Sequence, residues 1–369
     1  MKYRFSVLDI FRGLFASFVV LFHMAFFTNT PVINNPIVEN SDVFVDFFFV
    51  LSGFVITYRY QLMATTEEFG TFMKKRFFRI YPLHFVMLFV TLLMELDKEY
   101  MSHYIHVNKL DNPNNNVLTF FTSLFLVNSI KLFNISDVSW NIPSWSISAE
   151  VISYIVFGLV MITIARLSLQ RYKSIIYLLT ALVALGLLAF ITGSFQINYS
   201  FNYGFLRGLI GFFTGAFCYM IFSKTVSSLS HINPLLFTFA EIIIVFAIFI
   251  SIYWGETLKY YGFVYEIIFL LAIYIFSFEK GKLSSILNSS TLLHRVGTYS
   301  YSIYLTHAVL LSIFNIVFIR ILKFSPEDYS YLFILNLILI YYCSQWTYKN
   351  IEIKFKDGFS VFKTAKSSL

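Results

Sequence analysis

Long apolar runs with few charges dominate the pattern of hydrophobic and polar positions along the chain. Ten of these runs reach the roughly 18 to 20 residues that a helix needs to cross the hydrocarbon core of a bilayer. Shorter polar and charged stretches separate them. The pattern therefore predicts about ten membrane-spanning helices. They extend approximately over 10–28, 43–61, 77–96, 146–166, 174–192, 203–223, 235–254, 260–277, 297–321 and 329–348.

The composition fits a membrane protein rather than a soluble one. Hydrophobic residues make up 58% of the 369 residues and charged residues only 13%, which leaves too few polar side chains to cover a soluble globule. Cys218 and Cys343 fall within apolar runs, where a small buried thiol is more common than a disulfide. The first run carries Asp9 and Arg12 and is too long for the core of a signal peptide, so it should remain a span. We predict an all-α fold, a polytopic integral membrane helical bundle.

Basic residues are distributed unevenly between the two sides of the predicted bundle. With the N-terminus placed inside, 19 of the 27 Lys and Arg residues fall in inner segments and six in outer ones. Cytoplasmic loops carry such an excess of basic residues, so both termini are predicted to be cytoplasmic. The net charge of +7 then reflects topology, and its spread over several short loops argues against a nucleic-acid partner.

One long connection, 97–144, lies on the predicted outer side. It contains DNPNNN followed by the apolar stretch VLTFFTSLFLVNSIKLF, which could form a re-entrant or interfacial helix. An eleventh span here would invert every later segment and place the basic loops outside, so the charge bias argues against it. Because the sequence shows no internal repeat and no low-complexity linker, we expect a single membrane domain over 1–369.

An arginine and a histidine share the first apolar run. Arg12 and His23 are eleven residues apart, which separates them by about 16 Å along a helix axis, roughly half of the hydrocarbon thickness. Each ionisable group costs about 2.5 to 3.5 kcal/mol or more at the centre of a spanning helix. A chain that keeps two such groups in one span is expected to use them chemically.

Two further arginines, Arg76 and Arg79, lie one helical turn apart at the predicted inner end of the third span. Two guanidinium groups on one helix face can bind an anion, phosphate in particular, through several hydrogen bonds. The same residues could instead serve only as positive-inside anchors. The spacing leaves both interpretations open.

Other ionisable residues lie deeper in the predicted spans. Glu150 lies about a turn into the fourth span from its outer side, at a depth similar to that of His23, and could orient the imidazole. His307 falls near the middle of the ninth span, where a lone histidine is either structural or part of a site. With Asp46, which opens the second span, these residues separate into an inner group of arginines and an outer group around His23. This polarity predicts a pathway between the two membrane faces.

Two more charged residues have ordinary explanations. Arg207, in FLRGLIGFF, could extend to the membrane surface or pair with a buried carboxylate. Glu352 follows the last span in YKNIEIKFK, where the neighbouring lysines suggest a surface ion pair.

Five motifs follow one another along the chain: LDIFRG with Arg-x10-His, FFFVLSGF, RFFRIYP with Arg-x-x-Arg, WSISAE and YSIYLTH. In this order and at these intervals the sequence resembles the membrane acyltransferase family 3. The similarity extends from about residue 5 to residue 355, which is nearly the whole chain. No single motif is specific, and the order of all five carries the resemblance.

The resemblance implies transfer of an acyl group, usually acetyl, from cytoplasmic acetyl-CoA to a hydroxyl of a cell-surface or lipid-linked glycan. The residues that match catalytic positions are His23, Arg12, Glu150 and His307. Those expected to bind the acyl-CoA donor are Arg76, Arg79 and Arg12. No metal is expected. The resemblance also implies a multi-pass protein of the bacterial cytoplasmic (inner) membrane.

Some members of that family carry a C-terminal SGNH-type hydrolase domain that completes the transfer. We expect no such domain within 1–369, because the chain continues for only about twenty residues after the last predicted span. The resemblance then implies either direct transfer or completion by a separate extracytoplasmic partner.

Two other classes of protein fit part of the pattern. A transporter also uses buried Arg, His, Glu and Asp in substrate sites and proton relays, although transporters often show inverted repeats and this sequence shows none. A membrane scaffold or sensor would tolerate apolar residues at the ionisable positions. A requirement for acyl-CoA separates an acyltransferase from both.

Overall fold

The computed structural model describes residues 5–107, 112–132, 135, 137–356 and 358. The predicted all-α class is confirmed, since the described residues form helices and loops, with one isolated β-bridge between Ile130 and Tyr203. Both chain termini, predicted to be cytoplasmic, lie outside the described residues. The ten longest helices are α1 (Ser6–Ala25), α2 (Phe44–Tyr60), α3 (Thr66–Leu96), α4 (Ser144–Arg166), α5 (Lys173–Thr192), α6 (Gly204–Leu229), α7 (Pro234–Tyr253), α8 (Phe263–Phe276), α9 (Ser300–Asn315) and α10 (Phe333–Thr347).

Each of the ten predicted apolar runs corresponds to one of these helices. In the described part of the chain, eight helices are long and apolar enough to cross a membrane, namely α1 to α7 and α9 with its continuation to Ile321. A ninth crossing would combine α8 with the preceding helical segment Gly255–Tyr261, from which it is bent by 97°. The 15-residue α10 continues into a π-helical turn, Tyr348–Glu352. The protein is therefore an integral membrane helical bundle.

The long connection between α3 and α4 contains a short helix, Val117–Leu124. Its eight residues extend about 12 Å, which is too short to cross a bilayer. Residues 108–111, 133–134 and 136 of this connection, which include part of DNPNNN, lie outside the described residues. What the structure describes here adds no eleventh span.

Helix α3 begins well before the predicted run 77–96. A capping box formed by Thr65 and Glu68 satisfies backbone N–H groups at its start, so that the helix begins at Thr66. Arg76 and Arg79 therefore lie within a continuous helix, about three turns after its first residue.

Helices α2 and α6 form the most extensive helix pair of the bundle. A Cβ at Gly53 of α2 would lie 1.8 Å from the Phe212 carbonyl oxygen, and a Cβ at Gly215 of α6 would lie 1.8 Å from that of Val50. The two backbones are thus in direct contact, as glycine permits between membrane helices. This close pair supports one wall of a cavity that α1, α2, α3, α4 and α9 enclose.

Candidate active site

A cavity between five helices collects four of the ionisable residues that the sequence singles out, Arg12, Arg76, Arg79 and Glu150. Its apolar walls include Phe48, Val55 and Ile56 of α2. The polar side chains that line it are Arg12, Ser52, Arg76, Arg79, Ser146, Glu150, Tyr154, Ser300, Tyr301 and Tyr304. We call this space the arginine cavity.

Arg12 enters the cavity from α1. Its Nε lies 2.6 Å from the Ser300 hydroxyl of α9, and its Nη2 lies 3.4 Å from an Asp9 carboxylate oxygen. The neighbouring Gly13 makes this contact possible, because a Cβ there would lie 2.6 Å from the backbone nitrogen of Gly297. The glycine of the LDIFRG motif thus lets α1 approach the chain that leads into α9.

Arg79 is bound to a carboxylate that sequence reasoning did not assign to the site. Its Nη1 lies 2.5 Å from Glu352 Oε2, and the Ser302 hydroxyl also bonds Glu352. The Glu352 side chain is only 1% exposed, so the predicted surface ion pair with lysines is wrong. The signal for a buried role was weak, since the lysine-rich segment around Glu352 resembles an exposed helix end.

Arg76 has different surroundings. Its guanidinium lies 6.0 Å from the ring centre of Tyr60. Its Nε is buried and has no hydrogen-bond partner among the described residues. A buried donor of this kind is uncommon in folded proteins, and here it belongs to a side chain that lines the cavity.

Glu150 lies in the same cavity and not beside His23. Its Oε1 accepts hydrogen bonds from the Ser52 hydroxyl at 2.6 Å and the Tyr154 hydroxyl at 2.5 Å. The predicted pairing of Glu150 with His23 is therefore wrong, because equal depth in the membrane does not place two helix faces against each other. Ser52 bonds Glu150, while its neighbour Gly53 provides the contact between α2 and α6.

Asp46, which the sequence analysis grouped with His23, pairs instead with Arg207. Both of its oxygens accept hydrogen bonds from Arg207 of α6, at 2.6 and 2.8 Å, and Trp145 lies over the guanidinium at 5.3 Å. Of the two predicted possibilities for Arg207, the buried carboxylate partner is the one observed. Glu266 of α8 is buried nearby with neither oxygen bonded to the described residues. This cluster ties α2 to α6 and is not part of the cavity lining.

His23 and His307 meet each other outside the arginine cavity. His307 Nε2 lies 3.3 Å from His23 Nδ1, and the ring centres are 4.8 Å apart. Within the described part of the chain, neither histidine lines the cavity. Tyr304 lies at the boundary, since its side chain lines the cavity and its ring centre is 5.8 Å from that of His307.

The site therefore has two parts that α1 connects. One is a cavity lined by three guanidinium groups and the Glu150 carboxylate, and it suits an anion with an apolar extension. The other is a pair of imidazoles, which can accept and return a proton. The sequence singled out Arg12, Arg76, Arg79, His23 and His307 and the separation of Arg12 from His23 along α1, but it grouped Glu150 with His23 rather than with the arginines. The structure supplies the lateral partners of these residues.

Comparison with known proteins places the chain among acyltransferases. The acyltransferase domain family matches residues 5–349. The protein named "Protein 2 in picA locus" from Rhizobium radiobacter is 42% identical over 84 residues, and this region covers 22% of the present chain and 40% of that relative. No solved structure matches the chain. Because the family match covers nearly the whole sequence and contains all five motifs, the chain belongs to the membrane acyltransferase family 3.

Proposed function

We propose that the protein transfers an acyl group, acetyl in the simplest case, from acyl-CoA at the cytoplasmic face of a bacterial inner membrane to a hydroxyl of a glycan or lipid-linked saccharide at the outer face. The observation that carries this proposal is the arrangement along α1. Arg12 lines the arginine cavity, and His23 lies about 16 Å further along the same helix, beyond the end of the cavity. A donor bound at the arginines needs a thin arm of similar length to reach the imidazole.

The residues of the arginine cavity fit the donor. Arg12, Arg76 and Arg79 would hold the CoA phosphates, and Arg76 Nε, which no described residue bonds, is a hydrogen-bond donor that a phosphate oxygen would satisfy. The apolar wall of α2 suits an uncharged arm. An acyl thioester supplies an activated acyl group with a good leaving group, so the chain itself must mainly position the reactants and provide a base.

His23 is the base in this proposal. It lies two residues before the end of α1 and is partly exposed, which allows an acceptor to approach from that end of the bundle. The imidazole takes the proton of the acceptor hydroxyl while the new C–O bond forms and the C–S bond breaks. The same proton then passes to the departing thiolate, so the transfer needs no further reactant.

The first test is transfer of label from radiolabelled acetyl-CoA to a mixed glycan extract by purified protein in detergent. We expect transfer by the wild type, and a loss of about 10²-fold or more in His23→Ala. His103→Ala is the matched control, because His103 is exposed and its hydrogen bonds to described residues go to nearby backbone carbonyls. It should retain wild-type activity.

Two results would contradict the proposal. The first is full transfer by a folded His23→Ala protein, which would exclude this imidazole as the base. The second is neither binding nor turnover of acyl-CoA by folded wild-type protein. That result would favour a transporter, whose function needs a sealed membrane and no acyl donor.

A further inference from the structure

The contact between His23 and His307 joins two helices that are far apart in sequence. His307 is fully buried, and its Nε2 is directed at Nδ1 of His23. A contact between two imidazoles does not by itself define which nitrogen atoms carry protons. The backbone carbonyl groups around the pair define which ring nitrogens are protonated.

Each imidazole directs its Nδ1 at a carbonyl oxygen of its own helix. His23 Nδ1 lies 2.9 Å from the Val19 oxygen, and His307 Nδ1 lies 2.5 Å from the Tyr304 oxygen. A carbonyl oxygen can only accept a hydrogen bond, so each Nδ1 must be the donor. Both neutral imidazoles are therefore protonated at Nδ1 and unprotonated at Nε2.

This assignment also explains the contact between the rings. His307 Nε2 carries a lone pair and accepts from His23 Nδ1–H, which is shared between Val19 and His307. The opposite assignment would direct an imidazole lone pair at each of the two carbonyl oxygens. His23 Nε2 then remains unprotonated, and no described residue bonds it. This nitrogen is therefore free to take the proton of the glycan hydroxyl.

We propose that His307 is a positioning residue that holds His23 in the Nδ1–H tautomer and stabilises the cation formed when Nε2 takes a proton. This inference rests on the proposed function, in which His23 is the base. A neutral imidazole performs this role without the cost of burying a second charge in an apolar bundle, which a carboxylate would add. It also replaces the orienting role predicted for Glu150, whose hydrogen bonds are to Ser52 and Tyr154.

Three substitutions of His307 test the proposal. The amide of His307→Gln reaches the position of Nε2 and can accept from His23, whereas the amide of His307→Asn reaches only the position of Nδ1, and His307→Leu offers no acceptor. We expect kcat to fall about 10²-fold in the Leu and Asn proteins and to recover at least tenfold in the Gln protein. The KM for acyl-CoA should change less than twofold, because the arginine cavity is separate.

A merely structural role would make Gln no better than Leu, and that result would overturn the proposal. So would a kcat within twofold of wild type in a folded His307→Leu protein. In both cases transfer by the wild type would continue to support the proposed function, whereas no transfer by the wild type would contradict that function first.

A second measurement reads the protonation of His23 in the wild-type protein itself. Nuclear magnetic resonance of the wild-type protein with isotope-labelled histidine distinguishes protonated from unprotonated ring nitrogens. The protein has seven histidines, and comparison with His23→Ala assigns the signal of interest. We expect His23 to be protonated at Nδ1, and protonation of neutral His23 at Nε2 would overturn the inference.

Discussion

The two arginines of the Arg-x-x-Arg motif have different surroundings although they lie one helical turn apart. Arg79 is already paired with Glu352, whose side chain is buried. Arg76 lines the same cavity with a buried Nε that no described residue bonds. We therefore expect Arg76 to contribute mainly to donor binding, and Arg79 to contribute to stability as well.

Substitution of each arginine by glutamine separates these contributions. Arg76→Gln should raise the KM for acyl-CoA about tenfold or more, since a hydrogen bond to a charged group contributes about 1.5 to 3 kcal/mol. Its melting temperature should stay near that of the wild type. Arg79→Gln should also lower the melting temperature, because the buried Glu352 carboxylate loses its cation at a cost of about 1 to 3 kcal/mol. Enzyme kinetics and thermal unfolding in detergent measure both effects.

Arg59→Gln is the control for this pair of variants. Arg59 is exposed near the end of α2 and does not line the arginine cavity, so its substitution should change neither the KM nor the melting temperature appreciably. If Arg76→Gln and Arg79→Gln shifted both quantities equally, the two side chains would not differ as their surroundings indicate.

Individual candidate residues could be singled out from the sequence, but their partners could not. An ionisable residue in an apolar run is conspicuous because it is costly there, which identifies Arg12, His23 and His307. The sequence also gives the depth of each residue. The sequence does not give the rotation of one helix relative to another about its axis. That rotation determines whether His23 contacts Glu150 or His307.

At the scale of helices, the α2–α6 contact depends on the absence of side chains at two positions. Gly53→Ala would place a methyl group 1.8 Å from the Phe212 carbonyl oxygen, and backbone atoms cannot move aside as a flexible side chain can. Separation of α2 from α6 should cost about 1 to 3 kcal/mol or more. We expect a lower melting temperature, and lower activity as well, because the adjacent Ser52 bonds Glu150 in the cavity.

A glycine in an open environment provides the comparison. A Cβ at Gly186 of α5 would meet no atom of the described residues within 4 Å, so Gly186→Ala should leave stability unchanged or raise it by up to about 1 kcal/mol, as alanine favours the helix. Thermal unfolding of both variants measures the difference. Equal melting temperatures for Gly53→Ala and Gly186→Ala would show that the α2–α6 backbones tolerate separation.

The helices themselves follow closely from the apolar runs, and their ends and bends do not. Hydropathy indicates how many consecutive residues avoid water, which locates all ten long helices. It does not register a capping box, and therefore the early start of α3 at Thr66 was missed. Hydropathy also does not indicate where a helix changes direction. The apolar run 260–277 does not predict the 97° bend between Gly255–Tyr261 and α8. Gly262 lies at this bend and packs tightly against Ile197.

At the scale of the whole molecule, α1 connects the two parts of the site. Gly13 and Gly297 hold α1 against the segment before α9, since a Cβ at either position would lie within 2.6 Å of backbone atoms of the other segment. Arg12 then faces the arginine cavity, and His23, near the C-terminal end of α1, contacts His307 of α9. An enzyme built in this way can take its donor from one face of the membrane and its acceptor from the other.

This arrangement predicts that transfer has a direction across the membrane. Inverted membrane vesicles, which expose the cytoplasmic face, should transfer label from added acyl-CoA to an acceptor enclosed in their lumen. Right-side-out vesicles should not, because the charged donor cannot cross the bilayer to the arginine cavity. Radioactivity in the recovered glycan measures both rates, and vesicles with His23→Ala protein give the background.

Permeabilisation with detergent is the internal control, since it admits the donor to both faces and should bring the two vesicle types to the same rate. A low rate in right-side-out vesicles then reports access to the donor site rather than loss of enzyme. Equal rates in intact vesicles of both orientations would instead mean that acyl-CoA reaches the arginines from the outer face. Such a result would contradict the cytoplasmic placement of the arginine cavity, which rests on the excess of basic residues in the predicted inner segments.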